Sequence, residues 1–127
     1  MNSLFYVNIF ARDMVALADF YQRLFDLEEI TVSRSEYFIG FESGGCCIGF
    51  SSQAAYELLA LTQAGSQTDT VLTTFGASSR EDVDAQSKRA VELGGMLVKA
   101  PFETYYGWYQ SVLRDPEGNP FRINHGA

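Results

Sequence analysis

The stretch Asp115-Pro116-Glu117-Gly118-Asn119-Pro120-Phe121-Arg122-Ile123-Asn124 carries the densest structural instruction in the chain. Pro116 presets φ at the second turn position, Gly118 is free to take positive φ, and Asn119 tolerates the adjoining bend. This is hairpin chemistry, with a strand expected on either side of the turn. Alternation in the second strand sends Phe121 and Ile123 into a core and turns Pro120, Arg122 and Asn124 to the opposite face.

Upstream of the hairpin, strands are expected near Tyr109 to Arg114 and Met96 to Ala100. Before them, Ser79 with Asp82 three residues later makes a capping-box-like start to a helix that ends at Gly94-Gly95. Thr70-Val71-Leu72-Thr73-Thr74-Phe75 precedes that helix as a strand. The same order of elements stands in the N-terminal half. There Leu4 to Ala11 is rich in β-branched and aromatic residues, and Asp13 can cap a helix whose Met14, Leu17, Tyr21 and Leu24 recur at helical spacing. Strand candidates follow near Glu28 to Ser33, Tyr37 to Glu42 and Cys46 to Ser51, with Ser43-Gly44-Gly45 as a turn. The chain is thus an internal repeat, module 1 at about 3–51 and module 2 at about 70–126, joined by a linker at about 52–69. In each module one apolar sheet face is covered by the helix. The opposite, concave face must be closed by a second module, in the same chain or in a partner.

Three features together resemble the vicinal oxygen chelate superfamily, which includes glyoxalase I, bleomycin-resistance proteins and extradiol dioxygenases. They are Ala11-Arg12-Asp13 followed by Phe20-Tyr21 and Leu24, the Glu92-Leu93-Gly94-Gly95 helix end, and the Asp115 to Asn119 hairpin. The resemblance covers essentially the whole chain as one domain. It implies an α+β fold of two tandem βαβββ modules forming a cupped mixed sheet, and commonly a homodimer.

The metal-dependent members place a histidine or glutamate at one position in each of four strands. The matching motifs carry those positions onto Tyr6, Gly49, Leu72 and Arg122. Glycine and leucine offer no donor atom, arginine stays cationic, and one tyrosine cannot build a site for zinc, nickel or iron. The single histidine, His125, is expected to face away from Arg122. No metal and no cofactor is therefore expected, and no catalytic residue is assigned.

By alternation, Phe5, Val7 and Ile9 form the helix-facing set of the first strand, and Tyr6, Asn8 and Phe10 face the cup. A guanidinium at Arg122 can bind a carboxylate or phosphate bidentately, or stabilise an enolate. The segment Phe102 to Gln110 holds five aromatics in eight positions around Gly107. Of these, Tyr105, Tyr106 and Trp108 are candidates to wall a pocket, since rings stack on planar ligands and hold cations. The expected ligand-binding set is Tyr6, Asn8, Phe10, Tyr105, Tyr106, Trp108 and Arg122. A nucleophilic triad lacks both a suitably placed base and a Gly-x-Ser-x-Gly elbow.

The chain has 127 residues and a net charge of −7, and lacks the basic stripe that nucleic acid requires. Residues 1–69 carry nine acids and three bases, residues 70–127 seven acids and six bases. No apolar run approaches the length of a membrane span, and Met1 to Ala11 lacks the pattern of a signal peptide. Cys46 and Cys47 are adjacent and read as reduced thiols. The expectation is a cytoplasmic protein that binds a small organic molecule without metal, in the manner of antibiotic-sequestering relatives, with no nucleic-acid or membrane partner. The rival is a lyase, isomerase or dioxygenase using a displaced metal or Arg122, Tyr6 and Asn8. A third reading is a non-catalytic domain whose cup is packed shut.

Overall fold

The structure, a computed structural model, describes residues 3–63 and 69–126. The chain divides into two compact units, Met1–Gln67 and Thr68–Ala127.

The first unit runs β1 (Tyr6–Phe10), α1 (Met14–Phe25), β2 (Glu28–Glu29), a 3-10 turn (Thr31–Ser33), β3 (Phe38–Ser43), β4 (Cys46–Ser51) and α2 (Ala55–Leu58). Its sheet has the order β1-β4-β3-β2, with β1 parallel to β4 and the remaining pairs antiparallel. Asp13 starts α1 by accepting a 3.0 Å hydrogen bond from the Ala16 amide. The apolar stripe of the helix, Leu17, Ala18, Tyr21 and Leu24, is buried together with Ile39, Phe41, Ile48 and Phe50. Tyr21 stacks on Phe50 at 5.2 Å between centroids. Since Phe50 faces the helix, its neighbour Gly49 faces away.

The second unit repeats the plan with β5 (Thr73–Gly76), α3 (Arg80–Glu92), β6 (Met96–Glu103), β7 (Tyr109–Arg114) and β8 (Pro120–His125). Its strand order is β5-β8-β7-β6, with β5 parallel to β8. The Ser79 hydroxyl accepts from the Asp82 amide at 3.0 Å, and Gly94 ends the helical segment at φ +104°. Val83, Ala90, Leu113, Phe121 and Ile123 form its core. One polar pair sits among them. Ser87 Oγ donates to the Val83 carbonyl at 2.6 Å, which leaves the Ser111 hydroxyl, also 2.6 Å away, to donate to Ser87.

The hairpin is organised by one carboxylate. Asp115 is 3% exposed, and its Oδ1 accepts from the Glu117 and Asn119 amides at 2.9 and 3.0 Å. The Asn119 side chain donates to Oδ2 at 2.9 Å, and Gly118 takes φ +90°.

Several boundaries depart from the sequence expectation. The strand expected at Glu28 to Ser33 stops at Glu29, because Ser33 turns back to bond the Ile30 carbonyl through both its amide and its hydroxyl. Phe5 lies outside β1 and is 73% exposed, so the helix-facing set of the strand is Val7 and Ile9 alone, both half-buried. The expected linker carries α2, and its residues 64–68 lie outside the described residues. The strand expected at Thr70 to Phe75 is β5, which begins at Thr73 and leaves Leu72 before it. Strand β6 is longer than expected and passes through Pro101, which an edge strand tolerates.

Candidate functional site

In the first unit, Tyr6, Asn8 and Phe10 lie on the sheet face turned away from α1. Asn8 stands opposite Gly49 and its Oδ1 accepts a 3.0 Å hydrogen bond from the Ser51 hydroxyl. Phe10 is covered on one side by Tyr56 of α2, with ring centroids 4.0 Å apart and planes at 16°. Strand alternation cannot reveal that contact, because it joins the strand to a helix turn in the linker.

The dominant side chain on this face is Phe38. Its ring meets Tyr6 edge-on at 5.6 Å and lies over two glycines. A Cβ added at Gly49 would stand 2.5 Å from Phe38 Cζ, and one at Gly40 would stand 2.8 Å from both Phe38 Cε2 and the Tyr6 hydroxyl. These approaches are far inside van der Waals contact. The phenyl ring occupies the space that side chains at Gly40 and Gly49 would fill, so a larger residue at either position requires the ring to move. Burial, then the nearby Cys47 thiol and Glu42 carboxylate, raise the Tyr6 pKa above the usual phenol value. Tyr6 is thus a neutral hydroxyl at physiological pH, able to donate a hydrogen bond and unsuited to act as a base.

In the second unit, the face turned away from α3 is fixed by its neighbours: Ser111 bonds the helix through Ser87, and the Tyr109 hydroxyl donates to Asp84 of α3 at 2.7 Å. Gln110 and Val112 therefore point the other way, with Arg122 and Asn124 beside them in register. Arg122 is half-buried, and its Nε donates to Thr74 Oγ1 at 2.9 Å across the parallel β5·β8 pair. No carboxylate pairs with Arg122 among the described residues, so its terminal nitrogens are available to a ligand.

The aromatic loop closes between β6 and β7. Thr104 holds it, its amide donating to the Trp108 carbonyl at 2.6 Å and its hydroxyl accepting from the Trp108 amide at 2.9 Å. The Trp108 indole lies over Gly126, where a Cβ would stand 2.6 Å from Cε2. Tyr106 meets Trp108 edge-on at 5.6 Å, and Tyr105 meets Tyr106 edge-on at 4.9 Å. Tyr105 is fully exposed. His125, on the opposite side of β8 from Arg122, has Nδ1 3.0 Å from the Ala77 carbonyl.

Within the first unit, then, Tyr6 and Asn8 share a face with Phe38 and Ser51. Within the second, Arg122 shares a face with Thr74, Gln110 and Asn124. Thr74 as the partner of Arg122 was missed because the register of the parallel β5·β8 pair is not set by local sequence, and β5 was expected to start three residues early; Gln110 was legible from alternation once Ser111 was known to face α3.

The metal positions of the resemblance do not fit a metal. A carboxylate at position 49 would collide with Phe38, Leu72 has no donor, and a guanidinium at position 122 repels a cation. Among the described residues, no group of three or more His, Cys, Asp or Glu side chains could hold an ion. No helix among them is long and apolar enough to cross a membrane.

A glyoxalase-like domain model matches residues 6–124. No curated protein matches the chain. Among solved structures, a glyoxalase/bleomycin resistance protein/dioxygenase family enzyme from Burkholderia phytofirmans PsJN is 48% identical, with a TM-score of 0.91 over 94% of this chain and 95% of that one. Lactoylglutathione lyase from Agrobacterium tumefaciens (19% identity, TM-score 0.73, 99% and 95% covered) and TioX from Micromonospora sp. ML1 (19%, 0.75, 99% and 100%) share the fold. With two βαβββ units in tandem and a family model spanning nearly all of it, the chain belongs to the glyoxalase-like family of the vicinal oxygen chelate superfamily.

Proposed function

We infer that this protein binds a small organic molecule without a metal ion, acting by sequestration. The observation that carries this reading is Phe38 lying over Gly49. A ring fills one of the family's metal-ligand positions, and an arginine stands at another. What remains in each unit is hydrogen-bonding and stacking chemistry: Tyr6 and Asn8 on the sheet face of the first, and in the second Arg122 on its sheet face and the Tyr105, Tyr106 and Trp108 cluster in the loop between β6 and β7. Such groups orient a planar, partly polar ligand. The protein is proposed to act in the cytoplasm as a homodimer, which light scattering on the purified chain would check.

Elemental analysis of purified protein, followed by melting curves with zinc, nickel, manganese and iron(II), tests the reading. The expected result is less than stoichiometric metal and no stabilisation by any ion, together with stabilisation by planar natural products. One ion per chain with a clear rise in Tm would overturn it. That outcome would favour the second reading, a lyase, isomerase or dioxygenase, in keeping with the 48% identical glyoxalase/bleomycin resistance protein/dioxygenase family enzyme.

A further inference from the structure

Two transverse rows cross the face of the second unit that is turned away from α3. The register sets Lys99, Val112, Arg122 and Thr74 in one row and Phe102, Gln110, Asn124 and Gly76 in the next. The first row carries two cations. Neither Lys99 nor Arg122 has a carboxylate partner among the described residues; Lys99 Nζ instead lies 3.8 Å from the centroid of the Phe102 ring.

The second row holds two amides. Gln110 is 6% exposed and Asn124 7%. Gln110 Oε1 and Asn124 Nδ2 are each buried without a hydrogen-bond partner. They are direct cross-strand neighbours, yet they do not bond each other. A buried acceptor and a buried donor left unpaired side by side are costly, and a bound group with one donor and one acceptor would satisfy both.

We propose that this row is a recognition site for a planar aromatic carboxylate bearing an N–H beside the carboxylate group. The carboxylate accepts from Asn124 Nδ2 and the terminal nitrogens of Arg122, and the ligand N–H donates to Gln110 Oε1. Phe102, next to Gln110 in the row, supplies an aromatic wall. Lys99 and Arg122 favour the anion by charge. This assignment rests on the metal-free binding reading and narrows its ligand class.

Indole-2-carboxylate is the probe, compared by calorimetry with benzofuran-2-carboxylate, which replaces the N–H by an oxygen, and with the methyl ester of the indole acid, which lacks the anion. A site built to receive a hydrogen bond rejects an analogue without it, so a preference of about tenfold or more for the indole acid over each analogue is expected. Arg122→Met should abolish the preference for acid over ester, and Gln110→Met the preference for indole over benzofuran. Because Gln110 Oε1 is unpartnered, Gln110→Met should also leave the Tm of the free protein unchanged or higher.

Equal affinity for the indole and benzofuran acids would overturn the proposal, as would a fall in Tm for Gln110→Met, which would give the oxygen a structural partner. Binding of neutral planar compounds without binding of indole-2-carboxylate would overturn this site alone and leave the binding reading standing. Stoichiometric metal binding with no affinity for any planar compound would remove both.

Discussion

Tyr6 shows how much one position reports about its surroundings. It takes the place of a metal ligand in the resemblance, yet burial and the adjacent Cys47 and Glu42 hold its hydroxyl in the neutral form. The folded-state pKa lies above the ordinary 10.0 of a phenol, so the folded protein binds the Tyr6 proton more tightly than the unfolded chain does. That contribution to stability is complete below the ordinary phenol pKa and is lost as the pH rises through the folded-state value. Tyr37 beside Glu36 and Tyr109 beside Asp84 are also held above the ordinary phenol value, so a phenolate absorbance titration should show several late-titrating tyrosines, one fewer in Tyr6→Phe, and the variant should lose less stability than the parent between neutral and strongly alkaline pH. A late-titrating amplitude unchanged by Tyr6→Phe would contradict the assignment. The sequence placed Tyr6 on the correct face by alternation alone. It could not show Phe38 against it, since the residue types at positions 37 and 38 are equally suited to either face.

At the scale of elements, two devices hold the second unit together, and each has a measurable signature. The β7·β8 hairpin depends on the buried carboxylate of Asp115 accepting two backbone amides and the Asn119 side chain of a half-buried turn. Asp115→Ala leaves those donors unmatched and should destabilise the protein by about 2–4 kcal/mol, read from urea unfolding. Docking of α3 on β7 includes the buried Ser87 and Ser111 hydroxyls. Either serine changed alone to alanine should cost about 1–2 kcal/mol, whereas the double change should cost less than the sum, because it removes the polar pair entirely. Additive losses in the cycle would show that the hydroxyls act separately.

The hairpin was fully legible in the sequence because its conformation is dictated by residues within five positions of one another. The serine pair was not, because nothing local distinguishes a serine that packs under a helix from one that faces water. The same reasoning accounts for β2, where a strand pattern gave way to a turn once Ser33 found the Ile30 carbonyl.

For the whole molecule, the repeat was legible from the order of its elements, and each unit carries its own sheet, helix and core. Family membership followed from motifs, but the chemistry of the faces required side-chain contacts. The ring lying over two glycines also ties distant sequence positions together. A glutamate introduced at position 49 meets Phe38 before it can meet a metal, and a smaller residue introduced at position 38 uncovers the glycines without supplying a ligand. Neither single change places a ligand beside a vacant space, and the guanidinium at position 122 is untouched by both. Positions 38, 40 and 49 therefore respond to substitution as one unit: a side chain added at either glycine is accommodated only if the phenyl ring moves aside or is itself replaced by something smaller, so paired changes at 38 and 49 should be tolerated better than the change at 49 alone.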